Sequence, residues 1–390
     1  MVHRHSWIDR IEEAWKKRSI VWLAGVRRVG KTYLCKSLPE IEYFDCELPR
    51  VRRMMEDPEG FLESLGGKRI VLDEIRRLQN PSELLKIAAD HYPSIRIVAT
   101  GSSTLSASSK FKDTLAGRKR DLWLTPMCLR DLSGAKPFNL KRRLLRGGLP
   151  PFYLAEDLDE RDFQEWIDAY WAKDIQELFR LERRDSFQKF TELVLTQSGG
   201  LFEATWFTGP CEVSRPTIAN YLRVLEATFV AHVIRPFSSR GPAEIISAPK
   251  VYGFDTGFIC YYRGWQDLRN EDLGILWEHF VLNEMMATLQ SREIGYWRDK
   301  RGHEIDFVLA GRRKPPIAIE CKWSLGKSED RFDPANLEAF RRQHPTGENV
   351  VLAQDVKQAF TRSYNSLKVR FEPLEAFTNE LAVVSPRAQR

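Results

Sequence analysis

The sequence predicts an α/β chain: a parallel sheet with crossover helices, then a helical region, then a second α/β part. Three observations predict it. Short apolar runs at Ile20–Val26, Arg69–Leu72 and Ser94–Thr100 are separated by segments of helical character, which is how strands buried on both faces read. Between about residues 140 and 240 the apolar residues recur at helical spacing, as in Phe163, Trp166, Ile167, Tyr170, Trp171, Ile175 and Leu178. From about residue 245 short β-rich runs alternate with helices.

The 390 residues are enough for two or three domains, each with its own core. With 43% hydrophobic and 29% charged residues, a disordered or fibrous chain is excluded. No apolar run reaches the ~20 residues of a membrane span, and the N-terminus lacks the apolar centre of a secretory signal. Trp7, Ile8, Ile11 and Trp15 instead place an amphipathic helix over residues 1–17. The six cysteines contain no CxxC pair, so a reducing cytoplasmic setting is expected, without structural zinc. Charge is uneven. Residues 110–146 hold 11 Lys and Arg against 3 Asp and Glu, a local +8 within a total of +6. Such a block suits either a phosphate-facing surface or a solvated face.

The strongest motif is Gly25-Val26-Arg27-Arg28-Val29-Gly30-Lys31-Thr32, followed by Tyr33, between an apolar strand and a helix. Glycines let backbone N–H groups wrap phosphates, Lys31 meets the β- and γ-phosphates, and the Thr32 hydroxyl ligates Mg²⁺. A second strand delivers Asp73 toward the same metal and Glu74 toward the attacking water. ATP with Mg²⁺ is therefore the expected cofactor. Thr100 or Ser102, at the end of the third strand, either senses the γ-phosphate or caps the strand. Arg118 is either a finger toward a neighbouring subunit's nucleotide, which requires a homo-oligomer, or part of the basic surface.

Near the C-terminus, Glu304-Ile-Asp306-Phe and Ile319-Glu320-Cys-Lys322 flank a Gly- and Pro-rich turn, so a β-hairpin is expected. Asp306 with Glu320, and Glu304 with Lys322, share one index sum, which puts all four on one face of a symmetric hairpin. Such a face suits Mg²⁺, with Asp306 and Glu320 as ligands, Lys322 beside the nucleophilic water and Glu278 as a further acid. It equally suits cross-strand ion pairs. Ser214 caps a helix whose Ile218, Tyr221, Leu222 and Leu225 form one apolar face.

Taken in order, these motifs resemble the prokaryotic AAA-type P-loop ATPases with a C-terminal domain related to the PD-(D/E)XK nuclease fold. Leu115–Arg118, Arg146-Gly-Gly-Leu-Pro150, Tyr170-Trp-Ala-Lys-Asp174-Ile and Pro249–Gly257 also carry the resemblance. It implies an N-terminal helix over 1–17, an ATPase core over 18–138, a helical, winged-helix-like region over 139–240, a nuclease-like domain over 241–378 and a tail over 379–390. It also implies a DNA-acting ATPase on duplex or branched DNA, for instance a four-way (Holliday-type) junction, working as an oligomer such as a hexamer, with no membrane partner. Lys119, Arg120, Lys141, Arg142, Arg143, Arg215 and Thr217 are the expected DNA contacts. An ATP-gated, Mg²⁺-dependent endonuclease and a nucleotide-dependent switch for protein partners are the alternatives.

Overall fold

The computed structural model describes residues 2–104, 115–132, 138–179, 181, 183–237, 248–291, 293–311, 314–326 and 332–384. Within the basic block, residues 110–114 and 133–137 lie outside the described residues. Contacts divide the chain into two compact units: Met1–Phe138 with Gly148–Gln188 and Ala219–Val230, and Asn139–Gly147 with Lys189–Ile218 and Ala231–Arg390. The segment 139–240 is thus distributed between both.

The first unit holds five strands, β1 (Ile20–Ala24), β2 (Ile41–Asp45), β3 (Arg69–Asp73), β4 (Arg96–Gly101) and β5 (Lys119–Trp123). They form a sheet of order β2-β3-β4-β1-β5, all pairs parallel. The three central strands are the apolar runs the sequence singles out. β1 is buried along its whole length, and β3 and β4 are buried beyond their first residue, so both faces must be apolar. The helix His5–Trp15 packs its Trp7, Ile11, Ala14 and Trp15 inward, and Trp15 Nε1 donates to Ile97 O at 3.2 Å. The helix Glu160–Tyr170 changes pitch into a π-helical turn, Trp171–Ile175, before Gln176–Phe179.

The second unit holds β6 (Gly200–Leu201), β7 (Ala231–Pro236), β8 (Lys250–Gly253), β9 (Ile294–Arg298), β10 (Glu304–Leu309), β11 (Ile317–Lys322), β12 (Asn349–Ala353), β13 (Phe360–Tyr364) and β14 (Leu367–Glu372). They make a mixed sheet of order β13-β14-β12-β11-β10-β9-β7-β8-β6. Ile305, Val308, Ala318 and Val351 from this sheet share a core with Leu337 and Phe340 of the helix Ala335–Gln343. The helix Leu374–Val384 runs through the first residues of the expected tail, and 385–390 lie outside the described residues.

The helix Asn270–Leu289 is apolar on most sides and buried accordingly. Its His279 Nδ1 donates to Ile275 O (2.7 Å) and its Nε2 meets Ser198 Oγ (2.6 Å). Burial above all, with Arg263, His232 and Lys250 adding to it, pushes this imidazole down to about 3. In the unfolded chain it titrates near ~6.5. As pH falls from 6.5 toward 3 the unfolded chain therefore binds a proton that the folded one refuses, and stability is lost at about 1.4 kcal/mol per pH unit. The difference in Tm between pH 7 and pH 5 should shrink in His279→Gln; an unchanged difference would refute this account.

Candidate functional site

The first site is built where β1 ends. Gly25 has φ +155°, and a Cβ there would stand 2.5 Å from Leu124 O, so the close approach of backbone requires glycine. Arg28 (φ 61°) and Gly30 (φ 101°) turn the loop back before the helix Lys31–Lys36 begins. The buried Lys31 ammonium donates to Gly25 O (2.7 Å) and Val26 O (3.2 Å), closing the loop on itself. Burial lowers its pKa, and Glu74, Asp174 and Asp73 only partly restore it. Such an ammonium gains from a phosphate group beside it.

Asp73, at the end of β3, gathers three hydroxyls. Thr32 Oγ1 donates to its Oδ2 at 2.8 Å, Tyr43 of β2 donates to the same oxygen, and Thr100 Oγ1 donates to Oδ1. The Glu74 amide in turn donates to Thr100 Oγ1 at 2.9 Å. Glu74 sits at φ 50°, a left-handed conformation that an L residue keeps only where its surroundings hold it. Its carboxylate is ion-paired with Arg76 (Nε to Oε2, 2.9 Å). Tyr43 and Arg76 are additions that a search for the loop and its acidic pair does not find. Beside these groups lies a cavity of about 570 Å³ lined by Arg27, Arg28, Gly30, Lys31, Thr32, Tyr33, Glu74 and Ser102, with Val2, Met127, Pro150 and Leu154 as its apolar wall. That size and polarity fit a nucleotide. Thr32 and Asp73 are the donors that fit Mg²⁺, an oxygen-seeking cation.

Arg118 is not among the residues around this cavity. Its guanidinium grips Asp90, Nε to Oδ1 at 2.7 Å and Nη2 to Oδ2 at 3.0 Å. Lys119 and Arg120 stand on the edge strand β5, where Lys119 is paired with Asp121.

In the second unit, β10 and β11 pair antiparallel as Phe307↔Ile319, Val308↔Ala318 and Leu309↔Ile317, the register expected for the hairpin. Its tip, residues 312 and 313, lies outside the described residues. Past Phe307 the symmetric picture is incomplete. On the other side of β10 the register against β9 shifts between Ile305 and Val308. Asp306 Oδ2 accepts from the Cys321 amide (2.7 Å), so the backbone of Cys321 holds the carboxylate. Glu320 is buried, accepting from Lys322 Nζ at 3.0 Å and Asn336 Nδ2 at 3.5 Å. Burial first, then Glu278, raises the Asp306 carboxyl to about 7; burial and Asp306 raise Glu320 to about 7. Burial works against the Lys322 charge, yet Glu320 and Asp306 lift its pKa.

Three expectations need correction. Glu304 does not pair with Lys322 but reaches Lys250 of β8 and Arg298 of the adjacent strand β9. Glu278 is taken by Tyr252 and Lys250, and among the described residues no group of three His, Cys, Asp or Glu side chains is arranged to hold a metal ion. Arg143, an expected DNA contact, is 1% exposed, its guanidinium against the Phe280 ring and Thr256 Oγ1. Its neighbours Lys141 and Arg142 are exposed, as is Arg215, while the Thr217 hydroxyl meets Ser214 Oγ at 2.9 Å.

Among the described residues no helix is long and apolar enough to cross a membrane. Residues 17–133, which contain the loop, both acids and Thr100, match the model of an AAA domain. The match supports ATP hydrolysis of this type. Residues 138–269 and 273–370 match two domains of unknown function, DUF8612 and DUF4143, which bring no activity with them. Over 337 residues the chain is 28% identical to the uncharacterised protein Rv2008c of Mycobacterium tuberculosis, covering 83% of this chain and 74% of the relative. It is 21% identical over 330 residues to the uncharacterised protein MJ1544 of Methanocaldococcus jannaschii, covering 76% and 73% respectively. Among solved structures, the Walker-type ATPase PABY2304 of Pyrococcus abyssi is similar over 67% of this chain and 96% of its own, with 15% identity and a TM-score of 0.45.

Proposed function

We propose that the AAA domain hydrolyses ATP to rearrange or move along duplex or branched DNA, and that the second unit holds this DNA. The observation that carries the hydrolytic half is the chain of contacts from Thr32 through Asp73 and Thr100 to Glu74. In the reaction, water oxygen bonds to the γ-phosphorus, the bond to the ADP oxygen breaks, and Glu74 takes the water's proton. Lys31 holds the phosphates, and Thr32 with Asp73 would hold Mg²⁺, which when bound offsets phosphate charge. Arg118 is the proposed finger, acting on a neighbouring copy in a ring, a hexamer in one form.

The DNA half is supported by the half-buried Asp306 and buried Glu320 carboxyls beside the half-exposed Lys322 ammonium, and by exposed Lys141, Arg142 and Arg215. The test measures ATP turnover with four-way junction, duplex and single-stranded DNA, and DNA affinity across a salt series. Turnover should rise with one DNA form, and the Lys141→Glu, Arg142→Glu double variant should flatten the log–log salt slope by about two. New fragments in Mg²⁺ that disappear in Lys322→Ala would favour the ATP-gated endonuclease. Absence of DNA binding at low salt would overturn the proposal in favour of the protein-partner switch.

A further inference from the structure

We infer that Asp174 is a positioning residue for ATP hydrolysis, an inference that rests on the ATPase reading above. Its carboxylate is 1% exposed, in the π-helical turn Trp171–Ile175. A buried carboxylate persists only where cations and donors surround it, and among the described residues those that meet this one come from the nucleotide site. Asp174 Oδ2 accepts from Arg27 Nε of the phosphate loop at 3.0 Å. Oδ1 accepts from Ser102 Oγ, one residue past β4, and faces Arg76 Nη2 at 3.4 Å. Arg76 then donates from Nη1 to Lys173 O (3.2 Å) and from Nε to Glu74 Oε2 (2.9 Å).

One carboxylate therefore ties together the three loops that surround the cavity. It fixes Arg76 from behind, and Arg76 fixes one oxygen of Glu74, leaving Oε1 for the attacking water. Arg27 and Ser102 line the cavity themselves. Trp171, Asp174 and Ile175 of the π-helical turn are all buried, so Asp174 lies on its inward face. Asp174 is not among the residues that line the cavity; it acts through Arg76, Ser102 and Arg27. A base shifted by about 1 Å loses on the order of 100-fold in rate while substrate binding changes little.

The test uses the full chain. Asp174→Asn keeps the shape and removes the charge. Its kcat should fall about 10- to 100-fold, while KM and the affinity for a fluorescent ATP analogue change by less than about 3-fold. Asp174→Glu, which restores a carboxylate, should recover part of the rate. Arg76→Gln should lose a similar factor, and the double variant should lose no more than either single one, because the two act in series. Unchanged kcat in Asp174→Asn, or losses that multiply in the double variant, would overturn the inference. So would a loss of affinity in step with kcat. If Asp174→Asn melts below the assay temperature, Arg76→Gln decides alone, its kcat loss supporting the relay and its normal kcat refuting it. Lys31→Ala marks the background: a wild type no faster than that variant overturns the ATPase reading itself, whereas wild-type turnover retained by Asp174→Asn overturns only the role given to Asp174.

Discussion

Glu74→Gln should bind ATP as the wild type does and turn it over about 100- to 10,000-fold more slowly, the range lost with a general base. Glutamine keeps the shape and a carbonyl oxygen for Arg76, but it takes no proton from water. The backbone geometry at residue 74 is set by the Thr100 hydroxyl under its amide, not by the carboxylate, so the left-handed turn survives the substitution. Binding survives too, because the Lys31 ammonium and the loop amides are untouched. Trapped, unhydrolysed ATP after gel filtration, with single-turnover rates reduced by the same factor, is the measurement. A variant that hydrolyses ATP normally would exclude Glu74 as the base.

Lys31→Ala should act earlier on the path, abolishing measurable hydrolysis by weakening both ATP binding and the stabilisation of charge on the phosphates. Removing one such donor costs on the order of 100- to 1,000-fold in turnover. The folded chain should tolerate the change. Lys31 is a buried ammonium satisfied by Gly25 O and Val26 O, and burial already disfavours its charge. Its loss removes a desolvated cation along with its two hydrogen bonds. Circular dichroism and Tm should stay near wild type while analogue binding drops; undiminished turnover would refute the phosphate role of the loop.

Central strands were legible because burial on both faces forces a continuous apolar run, as in Ile20–Ala24 and Arg69–Asp73. The edge strands were not. Ile41–Asp45 is half-buried throughout, and Lys119–Trp123 places Lys, Arg and Asp in a row, so neither shows an apolar run. The basic stretch at 119–120 reads as charge in the sequence and as a sheet edge in the structure. Tyr43, on one of those unread strands, is for that reason a partner of Asp73 that no motif announces.

The π-helical turn was hidden for a different reason. Apolar residues at 163, 166, 167, 170, 171, 175 and 178 fit a single helix face, and one extra residue in the winding leaves that pattern nearly intact. What that pattern does not show is that Asp174, on the same face, is buried against Arg27, Ser102 and Arg76. Arg143 misleads in the opposite direction: its run of basic neighbours reads as one charged surface, while helical periodicity turns it onto Phe280 and Thr256.

By itself the sequence determined the chemistry that depends on local spacing. The phosphate loop, the acids that end β3 and the register of the β10–β11 hairpin follow from a few consecutive residues and from the periods of strand and helix. Only the tertiary structure decided which charge answers which. Arg76 with Glu74 and Asp174, Lys250 with Glu278 and Glu304, and the Cys321 amide with Asp306 are pairings of groups that burial obliges to find partners. Most of those partners lie on strands and turns distant in the chain. A buried charge needs a partner, but the need says nothing in advance about which one the fold brings near.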